Sequence, residues 1–213
     1  MITLYGKPGA ASSAPMAVFE ALGLDYRYEV VDHTSEAYQK IHPLGWVPAV
    51  AWDDGSVLTE SAAIILHTLD CFDTKGRLAP PSGSLDRARF YEAFMFLATQ
   101  VYPTYQRLYQ TRRIANTDQW DHIHAMARTQ QEDHWARLDQ WLAARNWLAG
   151  DAFSAADIYL LMLVTWWSDI PDLCRRWPNI ARACRGALAH EYVERAFLTH
   201  EQADDIAAIQ ASA

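Results

Sequence analysis

Cysteine is scarce: Cys71, Cys174 and Cys184 are the only three in 213 residues, and they form neither a Cys-x-x-Cys pair nor a Cys/His metal spacing. An odd count without such spacing excludes a disulfide framework, gives no metal site and suits a reducing compartment. No apolar run approaches the roughly eighteen residues that a membrane-spanning helix needs. The opening Met1-Ile2-Thr3-Leu4-Tyr5-Gly6 reaches a turn before any stretch that could serve as a signal peptide. A cytoplasmic protein with no membrane contact is expected. Positive charge is also short: 18 Lys and Arg against 26 Asp and Glu leave a formal charge of −8, so nothing draws the whole chain to phosphate backbones. Arg112-Arg113 and Arg175-Arg176, the densest basic runs, read as solvated helix ends, and no nucleic-acid partner is expected. Repeats and low-complexity tracts are missing too. What remains is 51% apolar and 12% aromatic residues, an ordinary globular composition with chain enough for a real core.

Two halves differ in grammar. Ile2–Tyr5 reads as a short strand, Gly6-Lys7-Pro8-Gly9 as a turn, Ala14–Leu22 as a helix ended at Gly23, and Tyr26–Val31 as a second strand. A short helix fits Ser35–Ile41. Ala49–Trp52 and Val57–Leu58 flank Asp53-Asp54-Gly55-Ser56, whose Asp-Gly pair signals a hairpin, and Ser61–Phe72 is a helix. The order βαβ-α-ββα makes residues 1–76 an α/β domain. Residues 77–86, with Pro80-Pro81-Ser82-Gly83-Ser84, are punctuated like a linker. From 87 to 213 the pattern is all-helical, with apolar residues at three and four over Asp86–Arg112, Asp118–Ala144, Ser154–Trp167, Asn179–Leu188 and Glu191–Ile209. Pro103 breaks the first of these, so a kink is expected near residues 99–103. Beside it Tyr102, Tyr105 and Tyr109 recur at helical spacing, as core filling or as one wall of a cleft.

The βαβ start, Gly45-Trp46-Val47-Pro48-Ala49-Val50, Leu58-Thr59-Glu60-Ser61-Ala62-Ala63-Ile64 and the Pro-rich step into helices together resemble the cytosolic glutathione transferases over essentially the whole chain. The resemblance implies a thioredoxin-like first domain that binds glutathione, a helical domain that supplies the electrophile pocket, and a homodimer across both. It implies that Pro48 is cis and that Val47 meets the cysteinyl part of the tripeptide as an added strand would. It implies further that Glu60 and Ser61 hold the γ-glutamyl end, with Ser61 at a helix start suited to a carboxylate. Ser154-Ala155-Ala156-Asp157 reads as a capping box with a folding role.

The resemblance is strongest to the bacterial beta class, whose loop reads Gly-Ala-Cys-Ser-Leu-Ala-Pro. Here Gly9-Ala10-Ala11-Ser12-Ser13-Ala14-Pro15 has Ala11 at the cysteine position, and Tyr102-Pro103 stands where a His-Lys pair is typical. A mixed disulfide with glutathione is excluded. A thiol near pKa 8.5 is a poor nucleophile, and bringing it to about 6.5 takes roughly 2.7 kcal/mol. One hydrogen bond to the anion supplies about 1.5–3 kcal/mol, so one hydroxyl and a helix end suffice. By analogy with serine-type transferases Ser12 is the first candidate donor and Ser13 the second. Tyr5, Tyr102 and Tyr105 remain alternatives, and simple helix capping would explain both serines. For the glycyl carboxylate His33, Lys40 and His42 are available, with Trp46 beside them. Gly9, Ala10, Tyr102, Tyr105, Gln106, Tyr109 and Trp166 would wall a pocket for a hydrophobic or aromatic electrophile. The expected function is glutathione transfer. Peroxide reduction, dehalogenation, isomerisation and a non-catalytic glutathione-binding or partner-binding module are the alternatives on the same scaffold.

Overall fold

The computed structural model describes residues 1–212, beginning with a four-stranded sheet in the order β2-β1-β3-β4. Strand β1 (Ile2–Gly6) runs parallel to β2 (Tyr26–Val30) and antiparallel to β3 (Ala49–Ala51), which pairs with β4 (Val57–Thr59). Leu4 sits opposite both Tyr28 and Val50 and is fully buried, so β1 is the central strand on which the layers close. A parallel neighbour demands a crossover, and α1 (Ser13–Leu22) supplies it. Gly23 ends α1 in the left-handed region, φ 70°, with its N–H on Glu20 and Phe19 carbonyls. Helix α2 (Glu36–Gln39) is a single turn, and α3 (Ser61–Phe72) follows the hairpin directly.

Residues 77–79 are firmly held. The Asp73 carboxylate accepts from the backbone N–H groups of Arg77 and Leu78 at 2.8 Å and of Ala79 at 3.2 Å. Leu78 is buried, and its carbonyl accepts from Ala155 N–H at 2.8 Å. Leu78, just before the prolines, is thus tied to Asp73 of the first half and to Ala155 of the second.

Helix α4 (Leu85–Phe96) starts at Ser84, whose Oγ accepts from Arg87 N–H. The kink at Pro103 takes the form of a π-helical turn over Leu97–Val101, continued by α5 (Tyr102–Tyr109). Proline brings no N–H, so the turn before it widens rather than holding the regular ladder. The expected end at Arg112 is corrected to Tyr109, with a 3₁₀ turn over Thr111–Arg113.

Helix α6 (Trp120–Ala143) packs on α5, and every residue of α7 (Ala155–Val164) is buried. At its start the Asp157 carboxylate accepts from Leu148 N–H, Ser154 N–H and Ser154 Oγ–H, each at 2.9 Å. Burial pushes that carboxyl up to about 6, against those three donors. The patterning missed α8 (Ile170–Arg176), which Asp169 caps through Asp172 N–H. After α9 (Pro178–Leu188), the expected single helix Glu191–Ile209 is two, α10 (Glu191–Thr199) and α11 (Ala203–Ala211). They part at His200–Gln202, where Glu201 has φ 58°. Among the described residues no helix is long and apolar enough to cross a membrane.

Candidate functional site

The loop between β1 and α1, the turn before β3 and the start of α5 converge on one cleft. Its larger cavity, about 400 Å³, is lined by Lys7 through Ala11, His33, Gly45, Trp46 and Val47 on one side. Tyr102, Tyr105, Gln106, Tyr109, Gln110, Arg113 and Trp166 face them. A smaller cavity of about 170 Å³ is lined by His42, Trp46, Val47, Pro48, Glu60, Ser61, Ala62, Ala98, Tyr102, Gln106 and Tyr159. Trp46, Val47, Tyr102 and Gln106 line both, so the two cavities form one channel with its waist at Val47 and Tyr102.

The waist is built by backbone geometry. The Val47–Pro48 peptide is cis, as the resemblance implies. Trp46 is anchored through its carbonyl, which accepts from Tyr38 Oη–H at 2.7 Å. Neither the N–H nor the C=O of Val47 has a partner among the described residues, which leaves the start of β3 an open edge to an extended ligand.

At the narrow end Glu60 precedes α3 with φ 67°, the left-handed region that a non-glycine residue rarely enters unless its surroundings hold it there. Its side chain is exposed to the cavity rather than paired. Ser61 does not cap α3. It is the first helical residue, and its Oγ shares a 2.9 Å hydrogen bond with Tyr159 Oη of α7. Burial pushes the Tyr159 phenol far up, so it stays protonated and can donate to Ser61.

The two serines of the first loop are not at the cleft. Ser12 is fully buried, its Oγ 2.8 Å from His200 Nε2. His200 Nδ1–H donates to Ala196 O at 3.0 Å, so Nε2 is the acceptor and Ser12 the donor. The same residue's carbonyl accepts from Gly9 N–H at 3.0 Å. Ser12 therefore fastens the loop to the α10–α11 break and lines neither cavity, as does Ser13, whose Oγ faces Ala10 O. Capping explains neither, since Ser12 makes no side-chain cap bond. Neither hydroxyl lines the cavities where a contact with the sulfur was expected. What the loop does present is backbone: Ala11 lines the cavity, and the N–H groups of Ala11 and Ser12 have no acceptor among the described residues.

Of the other expected residues, Gly9, Ala10, Val47, Pro48, Glu60, Ser61, His33, Trp46, Tyr102, Tyr105, Gln106, Tyr109 and Trp166 all line the channel. Lys40 does not; it is exposed beyond α2. Tyr5 turns away against Tyr38. Tyr102 packs edge-on to Trp166 at 5.1 Å, and burial followed by the charge of Glu60 pushes its phenol up to about 12. It is thus a neutral donor at the waist. Sequence reasoning missed Lys7, Gln110 and Arg113. Arg113 is no idle helix end: its guanidinium lies 4.0 Å over the Trp46 ring, joining the two walls. His200 was missed as well, because nothing local marks a residue whose partner lies 188 positions away. Among the described residues no three His, Cys, Asp or Glu side chains cluster as metal ligands would.

Comparison with known proteins points one way. Residues 12–68 match the family model for the glutathione S-transferase N-terminal domain and 102–182 that for its C-terminal domain. A glutathione S-transferase of Xanthomonas campestris is 32% identical over 76% of this chain and 81% of its own length. A sphingomonad glutathione S-transferase complexed with glutathione superposes with TM-score 0.79 at 31% identity, over 93% of this chain and 98% of the other. A bacterial beta class glutathione S-transferase of Sphingomonas chungbukensis gives 0.78 at 28%, over 94% and 99%.

Proposed function

The chain belongs to the glutathione S-transferase family and is a glutathione transferase, and on that premise we propose that glutathione lies along the channel with its thiol at the waist. The γ-glutamyl ammonium meets Glu60, and its carboxylate meets Ser61 Oγ and the free N–H groups at the start of α3. The cysteinyl unit pairs with the open N–H and C=O of Val47. The glycyl carboxylate lies toward Lys7 and His33, with Trp46 beside it.

The sulfur then sits between the start of α1 and Tyr102. Ala11 brings no thiol, so no covalent enzyme intermediate forms. The thiolate accepts from the Ala11 and Ser12 N–H groups and from Tyr102 Oη–H. A hydrogen bond to an anion contributes about 1.5–3 kcal/mol, and a helix start adds about 0.3–1 kcal/mol. Together they match the roughly 2.7 kcal/mol needed to lower a thiol pKa by two units. With an aryl halide the thiolate forms a C–S bond while the carbon–halogen bond breaks; halide leaves with its electron pair, and the thiol proton goes to solvent. The aromatic wall of Tyr102, Tyr105, Tyr109 and Trp166 favours such a flat apolar body.

One observation carries this reading: a single channel has a carboxylate and a helix start at one end, an unpaired strand edge in the middle and an aromatic wall at the other. Residues 1–76, the joint 77–86 and the helical part from 87 to 212 thus divide glutathione binding from electrophile binding, and we assign the enzyme to the cytoplasm as a homodimer. Calorimetric titration with glutathione tests the placement. Glu60→Gln should weaken binding at least tenfold, and unaltered affinity in that variant overturns it.

A further inference from the structure

The larger cavity has a charge pattern that a purely apolar electrophile does not need. Lys7, His33 and Arg113 line it, and among the described residues no Asp or Glu does, in a chain whose formal charge is −8. Nearby acids face elsewhere. Asp32, next to His33, turns its carboxylate to Thr34 N–H at 2.9 Å and Thr34 Oγ–H at 2.6 Å, and Glu60 lines the smaller cavity. Three basic groups exceed what the one glycyl carboxylate uses.

They also divide by position. Lys7 and His33 belong to the α/β half, beside the strand edge on which the tripeptide lies. Arg113 comes from the helical half, after α5, on the same wall as Tyr109 and Gln110. No carboxylate pairs with it among the described residues, and it is held only by its guanidinium carbon 4.0 Å over the Trp46 ring. A guanidinium stacked on an indole keeps its edge N–H donors free in the ring plane direction, where they suit a planar two-oxygen anion.

We propose that the transferase selects electrophiles bearing an anionic group, a carboxylate above all, with Arg113 as the specificity-determining cation and the tyrosine wall holding the apolar body. This rests on the glutathione reading above. An acid bound there lies across the cavity from the sulfur, so charge recognition and attack occur at opposite ends of the same ring.

The test compares 4-chloro-3,5-dinitrobenzoate with its methyl ester, both attacked at the chlorine-bearing carbon with loss of chloride. The acid is the poorer electrophile in water, so each rate is divided by its uncatalysed rate with glutathione. The corrected kcat/KM should favour the acid about five- to tenfold, the scale of one half-exposed charge-assisted pair. Arg113→Gln should bring the ratio to near one, and Arg113→Lys should restore part of it. Calorimetry on the glutathione conjugates of the same acid and ester should give the same ratio without turnover. Equal handling of acid and ester by an enzyme that binds glutathione overturns the inference alone. A tenfold loss of glutathione affinity in Arg113→Gln also overturns it, by assigning Arg113 to the tripeptide. Failure to bind glutathione at all overturns the underlying reading together with the inference.

Discussion

Replacing Ser12 with alanine separates two roles that the sequence leaves entangled. In the structure Ser12 Oγ–H donates to His200 Nε2 at 2.8 Å in a fully buried setting. Alanine keeps the backbone N–H at the start of α1 and removes that donor together with the Oγ that accepts from Lys7 N–H at 3.3 Å. His200 cannot turn to another partner without giving up the Nδ1–H bond to Ala196 O, so a buried acceptor is left unpaired, at about 1–3 kcal/mol. For a chain of this size each kcal/mol moves the melting temperature by about 2–4 °C, which puts the expected fall at about 2–12 °C. Thermal unfolding by circular dichroism reads the first effect, and turnover at 20 °C, normalised to folded protein, reads the second. We expect a lower melting temperature with turnover within about threefold of the parent, because alanine keeps the residue-12 N–H and the lost hydroxyl faces His200 rather than the cavity. Ser12→Ala and His200→Ala should also be non-additive, the double variant losing less than the sum. An unchanged melting temperature with turnover lost would refute this reasoning and return Ser12 to the sulfur.

Other consequences follow from the same packing. Gly6→Ala should abolish folding or lower the melting temperature more than Ser12→Ala does, because a Cβ there would collide with Ser12 Oγ and meet the Tyr28 ring at 2.7 Å; a melting temperature equal to the parent's would contradict it. Asp157→Ala strips partners from Leu148 and Ser154 N–H in the core and should cost about 2–4 kcal/mol in urea unfolding; a loss under 1 kcal/mol would show that water replaces them. Burial lowers the pKa of His200 in the fold, whereas the unfolded imidazole titrates near 6.5. The unfolded state then binds more protons below that value, so His200 contributes stability above about pH 6.5 that is lost as pH falls. The stability difference between pH 7.5 and 6 should shrink in His200→Gln; an equal difference would put the titration elsewhere.

Much of the fold was legible because its signals are local. Gly23, the Asp54-Gly55 turn and the Ser154–Asp157 box each name an element boundary through their own chemistry, and the structure uses all three as read. Glu60, Ser61, Val47 and Pro48 were legible as a set because their order along the chain resembles a known family. Where function depends on which way a side chain points across the chain, the sequence is silent. Ser12 and Ala11 are adjacent at a helix start, yet one faces His200 and the other the cavity. Arg113 looked like a solvated charge because its partner, Trp46, lies on the other half. The break at His200–Gln202 escaped the periodicity because the apolar spacing of α10 continues into α11, while Glu201 takes a left-handed conformation that its type does not advertise. Lys40 was misplaced for the opposite reason, since proximity in sequence to His42 does not bring it into the cleft.

The claim on which everything else rests is that this chain ionises glutathione without a cysteine or serine side chain at the sulfur. Thiolate absorbance near 240 nm, followed against pH with glutathione bound to the parent protein and to Tyr102→Phe, tests it most directly. The bound thiol pKa is expected about two units below the free value of about 8.5, with a rise of about one to two units in the variant as one donor to the anion is lost. A bound thiol that titrates as it does in water, or a lowered value that Tyr102→Phe leaves untouched while Ser12→Ala abolishes it, would contradict the account.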